Sequence, residues 1–436
     1  MKNFKHFFQK LFGITSKKKP DLNAIEDLNQ DLEAIQLHQT HIHKQNTVYK
    51  RTRMSNFGLK LSFLYGQFTL TTILLITIAT AIVFGVVSVF LVKNVGIYNF
   101  GLAAFGQAAA KIIVVNLKES QVSQTVRNLI DQFVFWIAYV ILSIPIFYFG
   151  YKKVGVLFTN LTVLFLVVSS VVSFSLGLIP GVNSTYIIGD FSNQKIKDLL
   201  PDYSKALSSL IPLLWDAQSS ASIIALMIYS IVYGVVLAYV FAIIQIIGGT
   251  AGVTGVIGEW YANAKQKSFG QISGYMNIII VIIAVFVGSY LPGRILLAQA
   301  GLDNAKQMEE FGRSIHTELY FSPNLVATIL VNVVYIMVLD KLFPKFKLVR
   351  VQVFSHKSKE IQHKIVNDPK IVTGLTIFKA KGGHKNEEID VLTSISLFRH
   401  VLRIIKDVRS VDNQAFIVIS DVKSIDGNIY LPETKF

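Results

Sequence analysis

Apolar and polar positions divide the chain into stretches of different period. Asp21 to Thr40 carries Leu22, Ile25, Leu28, Leu32 and Ile35 at three-and-four spacing, which predicts an amphipathic helix, either a self-association seam or a helix packed on another domain. Six nearly unbroken apolar runs follow, near Leu70–Val92, Leu129–Phe149, Val154–Leu178, Ser222–Ile247, Ile272–Leu291 and Pro323–Leu342. Each reaches the ~20 residues needed to cross a bilayer. From Lys347 the pattern changes to alternation at Leu348–Phe354, helical spacing over Ser355–Val366, strands at Val372–Phe378 and Ile389–Leu397, a helix at Phe398–Val408 and a strand at Ala415–Asp421. The order βαββαβ is that of a ferredoxin-like module.

Two further apolar segments, Gly96–Val115 and Gly248–Asn263, are rich in glycine and too short or interrupted to be spans. The first follows span one and the second follows span four, so the membrane region reads twice as span, Gly-rich piece, span, span. Each unit holds an odd number of crossings, so the two copies enter the membrane in opposite orientation. This predicts a polytopic α-helical membrane protein of about six spans, built from inverted three-span repeats with re-entrant Gly-rich pieces, an arrangement found in many secondary transporters.

Charge assigns the sides. Lys44, Lys50, Arg51, Arg53 and Lys60 precede span one, Lys152 and Lys153 sit between spans two and three, and Lys341, Lys345, Lys347 and Arg350 follow span six. All three flanks fall on one side, which the positive-inside rule makes the cytoplasm. The expected organisation is a cytoplasmic basic and amphipathic region over 1–69, repeat one over 70–178, an extracellular loop over 179–221, repeat two over 222–346 and a cytoplasmic domain over 347–436. The outer loops are expected at Ile179–Ala221 and Pro292–Ser322. Both termini are then cytoplasmic and the protein is multi-pass in the cell membrane.

Composition narrows the classes. Of the 436 residues 52% are hydrophobic, and the net charge of +15 lies almost entirely outside the apolar runs. In such a chain attraction to anionic headgroups explains the excess better than nucleic acid does. The absence of Cys removes disulfides, thiol catalysis and thiolate metal sites. Met1–Gly13 sets Phe4, Phe7, Phe8, Leu11 and Phe12 against three lysines, a short interfacial helix or a frayed terminus and not a cleaved leader. His38, His41 and His43 lack a nearby acid and read as a polar linker, so no metal site is expected.

Candidate chemistry lies in the Gly-rich pieces, because non-helical backbone at membrane depth survives only where protein or water covers it. Gly248, Gly249, Gly252 and Gly255 fall within eight residues, with the hydroxyls of Thr250 and Thr254 between them and the Glu259 carboxylate beyond. A short helix starting here would aim free N–H groups at a polar or anionic ligand. In the first copy Gly96, Gly101 and Gly106 hold the comparable place, with Asn99 and Gln107 as polar groups. The competing reading is plain helix packing through small residues. Glu259 is the acid expected to couple an ion or proton, while Asp131 and Asp340 lie near span ends and are expected to be solvated. In the tail, Lys381-Gly382-Gly383-His384-Lys385 is a basic loop whose freed amides suit a phosphate or carboxylate, or else a solvated hairpin tip.

These parts resemble the YitT-type family of bacterial membrane proteins. The resemblance is carried by Ile144-Pro145-Ile146-Phe147-Tyr148-Phe149-Gly150-Tyr151-Lys152-Lys153-Val154-Gly155, by the second Gly-rich piece, by Thr373-Gly374-Leu375-Thr376-Ile377-Phe378-Lys379-Ala380-Lys381-Gly382-Gly383, and by Asp412-Asn413-Gln414-Ala415-Phe416-Ile417-Val418-Ile419-Ser420-Asp421-Val422. It covers roughly Leu70 to Val422. The family's C-terminal domain resembles PII-like signalling modules, which often trimerise and bind small anionic ligands, so the resemblance implies a ligand-sensing domain on a permease-like core.

The expected function is a transporter of unknown small-molecule or ion substrate, regulated by the cytoplasmic domain; the alternative is a non-transporting membrane-anchored sensor or scaffold. No catalytic cluster appears within the spans, so no enzyme activity is expected. The expected partners are the lipid bilayer, the substrate, a small anionic ligand on the tail and further copies of the chain, without nucleic acid. The sequence implies no particular cofactor.

Overall fold

The computed structural model describes residues 61, 64, 68–117, 123–182, 185–191, 213–215, 219–265, 267–299, 315–344, 347–368, 371, 373–383, 386–422 and 425. The expected helix over 21–40, the interfacial segment 1–13 and the histidines at 38, 41 and 43 lie outside the described residues. The membrane region contributes α1 (Leu70–Ser88), α2 (Ala103–Val115), α3 (Gln124–Lys153), α4 (Val156–Leu178), α5 (Ser220–Ile247), α6 (Thr254–Lys265), α7 (Phe269–Val285), α8 (Leu291–Gln299), α9 (Ile315–Tyr320) and α10 (Pro323–Leu342). Six helical stretches are long and apolar enough to cross a membrane: Leu70–Lys93, Leu129–Lys153, Val156–Leu178, Ser220–Ile247, Phe269–Leu296 and Thr317–Leu342. Their outward faces carry Leu75, Ile141, Val171 and Ile279, all more than half exposed, as lipid-facing surfaces require.

Side-chain caps begin these helices where the sequence turns polar. Thr69, Ser268 and Ser322 each accept a backbone N–H of the first turn in α1, α7 and α10, and Pro323 takes the first position of α10, where no N–H is needed. Two boundaries differ from expectation. Lys152 and Lys153 are the last residues of α3 and not turn residues, where they complement the carbonyl end of the helix; the turn itself is Val154–Gly155, with Gly155 at φ 149°. The fifth span runs through Pro292, because a π-helical turn at Phe286–Tyr290 precedes α8 and Pro292 falls in its first turn.

The two repeats pack alike. In repeat one α1 lies against α4 and α2 against α3; in repeat two α5 lies against α10 and α6 against α7. The closest approaches are at glycine. A Cβ on Gly85 would stand 2.9 Å from the Ser169 carbonyl oxygen, and one on Gly234 would stand 2.9 Å from that of Val331. Such glycines let helix backbones meet where lipid offers no hydrophobic driving force.

The tail is β1 (Leu348–Ser355), α11 (Ser358–Val366), β2 (Gly374–Lys381), β3 (Glu388–Leu397), α12 (Phe398–Val411) and β4 (Phe416–Asp421). The sheet is antiparallel throughout in the order β2-β3-β1-β4, as the ferredoxin-like expectation requires. Val349, Val351 and Val353 point from β1 onto Ile361, Ile365, Val401 and Ile404 and form its core. At its edge the Ser355 hydroxyl donates to Asp412 at 2.5 Å, and the Gln414 amide donates to the same carboxylate. The serine hydrogen bond leads in holding the Asp412 carboxyl below its usual range. A depressed carboxyl stabilises the fold above its unfolded pKa of ~3.9, and that contribution is lost as pH falls through the folded value. Ser355→Ala is therefore expected to weaken hydrogen-exchange protection of β1 and β4 at pH 6. The difference from wild type should vanish in acid, below the folded pKa.

A crossing of two Gly-rich stems

Each first span ends in the same cap. The chain leaves span one at Gly96, φ 75°, and span four at Gly248, φ 100°. The glycine amides donate to Lys93 O and Gln245 O, and the next amides reach further back, Ile97 to Val92 O at 3.0 Å and Gly249 to Ile244 O at 2.9 Å. This is the Schellman pattern, which needs a left-handed residue. A non-helical stem follows in each repeat before α2 and α6 begin.

Side chains satisfy the backbone of the first stem. Asn324 Nδ2 donates to the Val95 and Gly96 carbonyls at 3.1 Å, and the Tyr98 amide donates to Thr328 Oγ1 at 3.2 Å. The Asn99 amide donates to Gln107 Oε1, Gln107 Nε2 donates to Ile97 O, and the Gly101 amide donates to Asn277 Oδ1. The second stem mirrors this: the Thr250 amide donates to Thr162 Oγ1 at 3.2 Å. Thr328 belongs to span six and Thr162 to span three, so each stem is held by the last span of the other repeat. That exchange is what an inverted pair related by a two-fold axis produces.

The stems meet. Phe100 completes a three-ring cluster with Phe241 and Tyr335, at 5.1 and 4.7 Å, and a Cβ on Gly252 of the second stem would touch its ring at 3.7 Å. A Cβ on Gly101, φ 69°, would fall 2.6 Å from Thr254 Oγ1. The N-terminal ends of α2 and α6 thus lie on either side of the crossing. The Thr250 and Thr254 hydroxyls are buried there, with no hydrogen-bond partner among the described residues.

The expected site residues separate into groups. Asn99 and Gly252, with Phe100 and Ala251, line a cavity of about 30 Å³ together with Phe84, Ala103, Phe135, Trp136, Tyr139 and the serines at 88, 169 and 173, room for about two waters. Gly101 and Thr254 form the contact beside it, and Gly255 lies under the Thr250 side chain. Gly249 abuts Leu161, and Gly248 serves the cap. Gly106 packs a Cβ-width from the Phe135 carbonyl oxygen, as Gly258 packs on Phe269 and Ser273; both join a short helix to the second span. Glu259 lies away from the cavity lining, 1% exposed, with Oε1 accepting from Asn263 at 3.1 Å.

Three charged groups gather beyond the cavity: Asp131, expected to be solvated, and two lysines that the chain pattern did not single out. Lys93 Nζ is 3.3 Å from Asp131 Oδ2 and 5.8 Å from the centre of the Phe135 ring. The Lys111 ammonium lies over the Tyr98 ring at 4.7 Å, and Lys111 is 7% exposed. Asp131 is therefore engaged and not merely solvated. Asp340 likewise accepts from the Ser268 hydroxyl. The available signal was a lysine inside an apolar segment, Lys111 in Gly96–Val115, which by default marks function in a membrane.

In the tail, Lys381 pairs with Glu388 across the hairpin. The Gly382 amide is used to close it, donating to Glu387 O at 2.8 Å, and so is not free for a ligand. Gly383 lies in the turn, and His384 falls outside the described residues.

Residues 373–427 match the family model described as "Uncharacterized protein conserved in bacteria (DUF2179)". The chain is 30% identical over 384 residues to "Uncharacterized protein MG443" of Mycoplasma genitalium, covering 88% of this chain and 94% of that one. It is 31% identical over 347 residues to "Uncharacterized protein MG443 homolog" of Mycoplasma pneumoniae, covering 78% and 83%. It is 30% identical over 391 residues to "Uncharacterized protein MG432 homolog" of the same organism, covering 87% and 92%. No solved structure matches the chain.

Proposed function

Given that the chain belongs to the protein family of Uncharacterized protein MG443, we propose that it is a solute transporter of the bacterial cell membrane, of YitT type. The observation that carries this reading is the reciprocal crossing of the two stems. Each stem is a break in helical structure whose backbone is held by the opposite repeat. A scaffold needs only continuous helices, whereas paired breaks beside a small cavity provide a point about which one repeat can rock against the other.

Lys152 and Lys153 at one end of α3 and Lys341 at the end of α10 support a cytoplasmic location for that side, and with it for both termini. The ferredoxin-like tail then regulates transport from the cytoplasm through a small anionic ligand or contact with another copy.

Uptake by purified protein in vesicles, scanned over a panel of labelled ions and small solutes, tests the reading. Thr254→Leu crowds the crossing against Gly101 and is expected to slow uptake about tenfold or more, a barrier change of ~1.4 kcal/mol. Uptake no faster than in protein-free vesicles across the whole panel would retire the transporter in favour of the sensor or scaffold.

A further inference from the structure

The cavity at the crossing is capped by charge of one predominant sign. Spans one and two and helix α2 each place a charged residue beyond a residue near the cavity, all toward the same end: Lys93 after Ser88, Lys111 after Gln107, and Asp131 before Phe135. Two ammonium groups thus share one carboxylate. Lys111 has no carboxylate at ion-pair distance among the described residues, only the face of Tyr98. Asp131 thus pairs closely with Lys93 and acts on Lys111 only from farther off, so the buried cluster keeps an excess of positive charge, which is costly without a further anion.

The cavity wall offers hydrogen-bond donors. The Trp136 indole Nε1 is buried without a partner among the described residues and Trp136 lines the cavity, whereas the Ser88, Ser169 and Ser173 hydroxyls donate elsewhere, to Asn99 Oδ1, Leu166 O and Gly85 O. The Ala251 and Gly252 amides reach no acceptor among the described residues. At the adjoining crossing, the start of α6 carries the buried, unpartnered Thr254 hydroxyl, where the helix dipole favours negative charge. A cation here would meet the potential of two lysines.

We infer that the cavity between Trp136 and the second stem binds a small anion, with Lys93 and Lys111 supplying its positive potential. Its small volume suits a small anion. That the anion crosses the membrane rests on the transport reading above; that it binds does not. Asp131 orients Lys93 and keeps the net charge low enough for release.

The test uses the full chain with Trp215→Phe and Trp260→Phe, leaving Trp136 as the sole indole of the three. In detergent at constant ionic strength against gluconate, nitrate and chloride are expected to change its emission saturably, with no dependence on sodium, potassium or choline as counterion. K93Q with K111Q should raise the half-saturating concentration about tenfold or more, while K111R retains binding and D131N tightens it. The conservative variants decide the question if the double variant does not fold. An emission that ignores anions, follows the cation, or is unmoved by the lysine substitutions overturns the inference. Nitrate and rubidium flux in vesicles separates the two proposals: saturable anion binding without flux keeps the site and retires transport, and rubidium flux without anion binding does the reverse.

Discussion

Gly234→Leu will destabilise the purified protein by about 1–3 kcal/mol or more, the usual cost of overpacking a close contact, and Gly85→Leu will do the same in the other repeat. At Gly234 a Cβ would stand 2.9 Å from both the Val331 carbonyl oxygen and the Val334 Cβ. At Gly85 it would stand 2.9 Å from the Ser169 carbonyl oxygen and 3.0 Å from the Val172 Cβ. Neither neighbour can swing aside, because one is backbone and the other is the stiff stem of a β-branched residue. Helix pairs in lipid gain mainly from close packing and interhelical bonds, so separating them forfeits most of what holds them. Gly258→Ala is the control: its Cβ would make an ordinary contact at 3.4 Å with Phe269, and alanine favours the helix by ~1 kcal/mol. Thermal denaturation in detergent reads all three. A Gly234→Leu protein that melts with wild type would show that spans four and six do not meet as described.

Asn277→Ala will release the first stem. Asn277 Oδ1 accepts the Gly101 amide, and its Nδ2 donates to Asn332 Oδ1 at 2.6 Å; Asn332 in turn donates to the Thr328 carbonyl at 2.8 Å. All three side chains are at most 2% exposed. Removing the amide strands a buried backbone donor and a buried side-chain acceptor, at about 1–3 kcal/mol for each. The readout that distinguishes this from general weakening is amide exchange: protection should fall at 98–104 well before it falls in α5 or α10. Asn116→Ala, which loses only an exposed bond to Ile112 O, should stay within ~0.5 kcal/mol of wild type. Equal protection of the stem in wild type and Asn277→Ala would mean that the backbone, not Asn277, holds it. If transport proceeds by movement at the crossing, the same substitution will also alter uptake.

Much of the architecture depends on local pattern and was open to reading from the chain. The six apolar runs coincide with the six long helices to within a few residues at most ends. Alternation at Leu348–Phe354 and helical spacing at Phe398–Val408 marked β1 and α12 because burial on one face imposes its period on the residues. The two stems were visible as glycine clusters, since a left-handed cap admits little else.

What a glycine is for could not be read locally. Gly96 and Gly248 end helices, Gly101 meets the opposite stem, and Gly106 packs a helix pair, yet all four appear in the sequence as the same small residue in an apolar run. Their roles are set by which backbone lies opposite, which depends on how distant spans pack.

The sequence by itself therefore determined the number of spans, their twofold repetition and the βαββαβ tail, all consequences of periodic burial along a local segment. Only the tertiary structure decided that each stem is bonded by the other repeat, that Glu259 lies off the cavity, and that Lys93, Lys111 and Asp131 converge beside it. Those features belong to pairs of residues on different helices, and the energy of a buried charge or hydrogen bond depends on a partner that chain order does not specify.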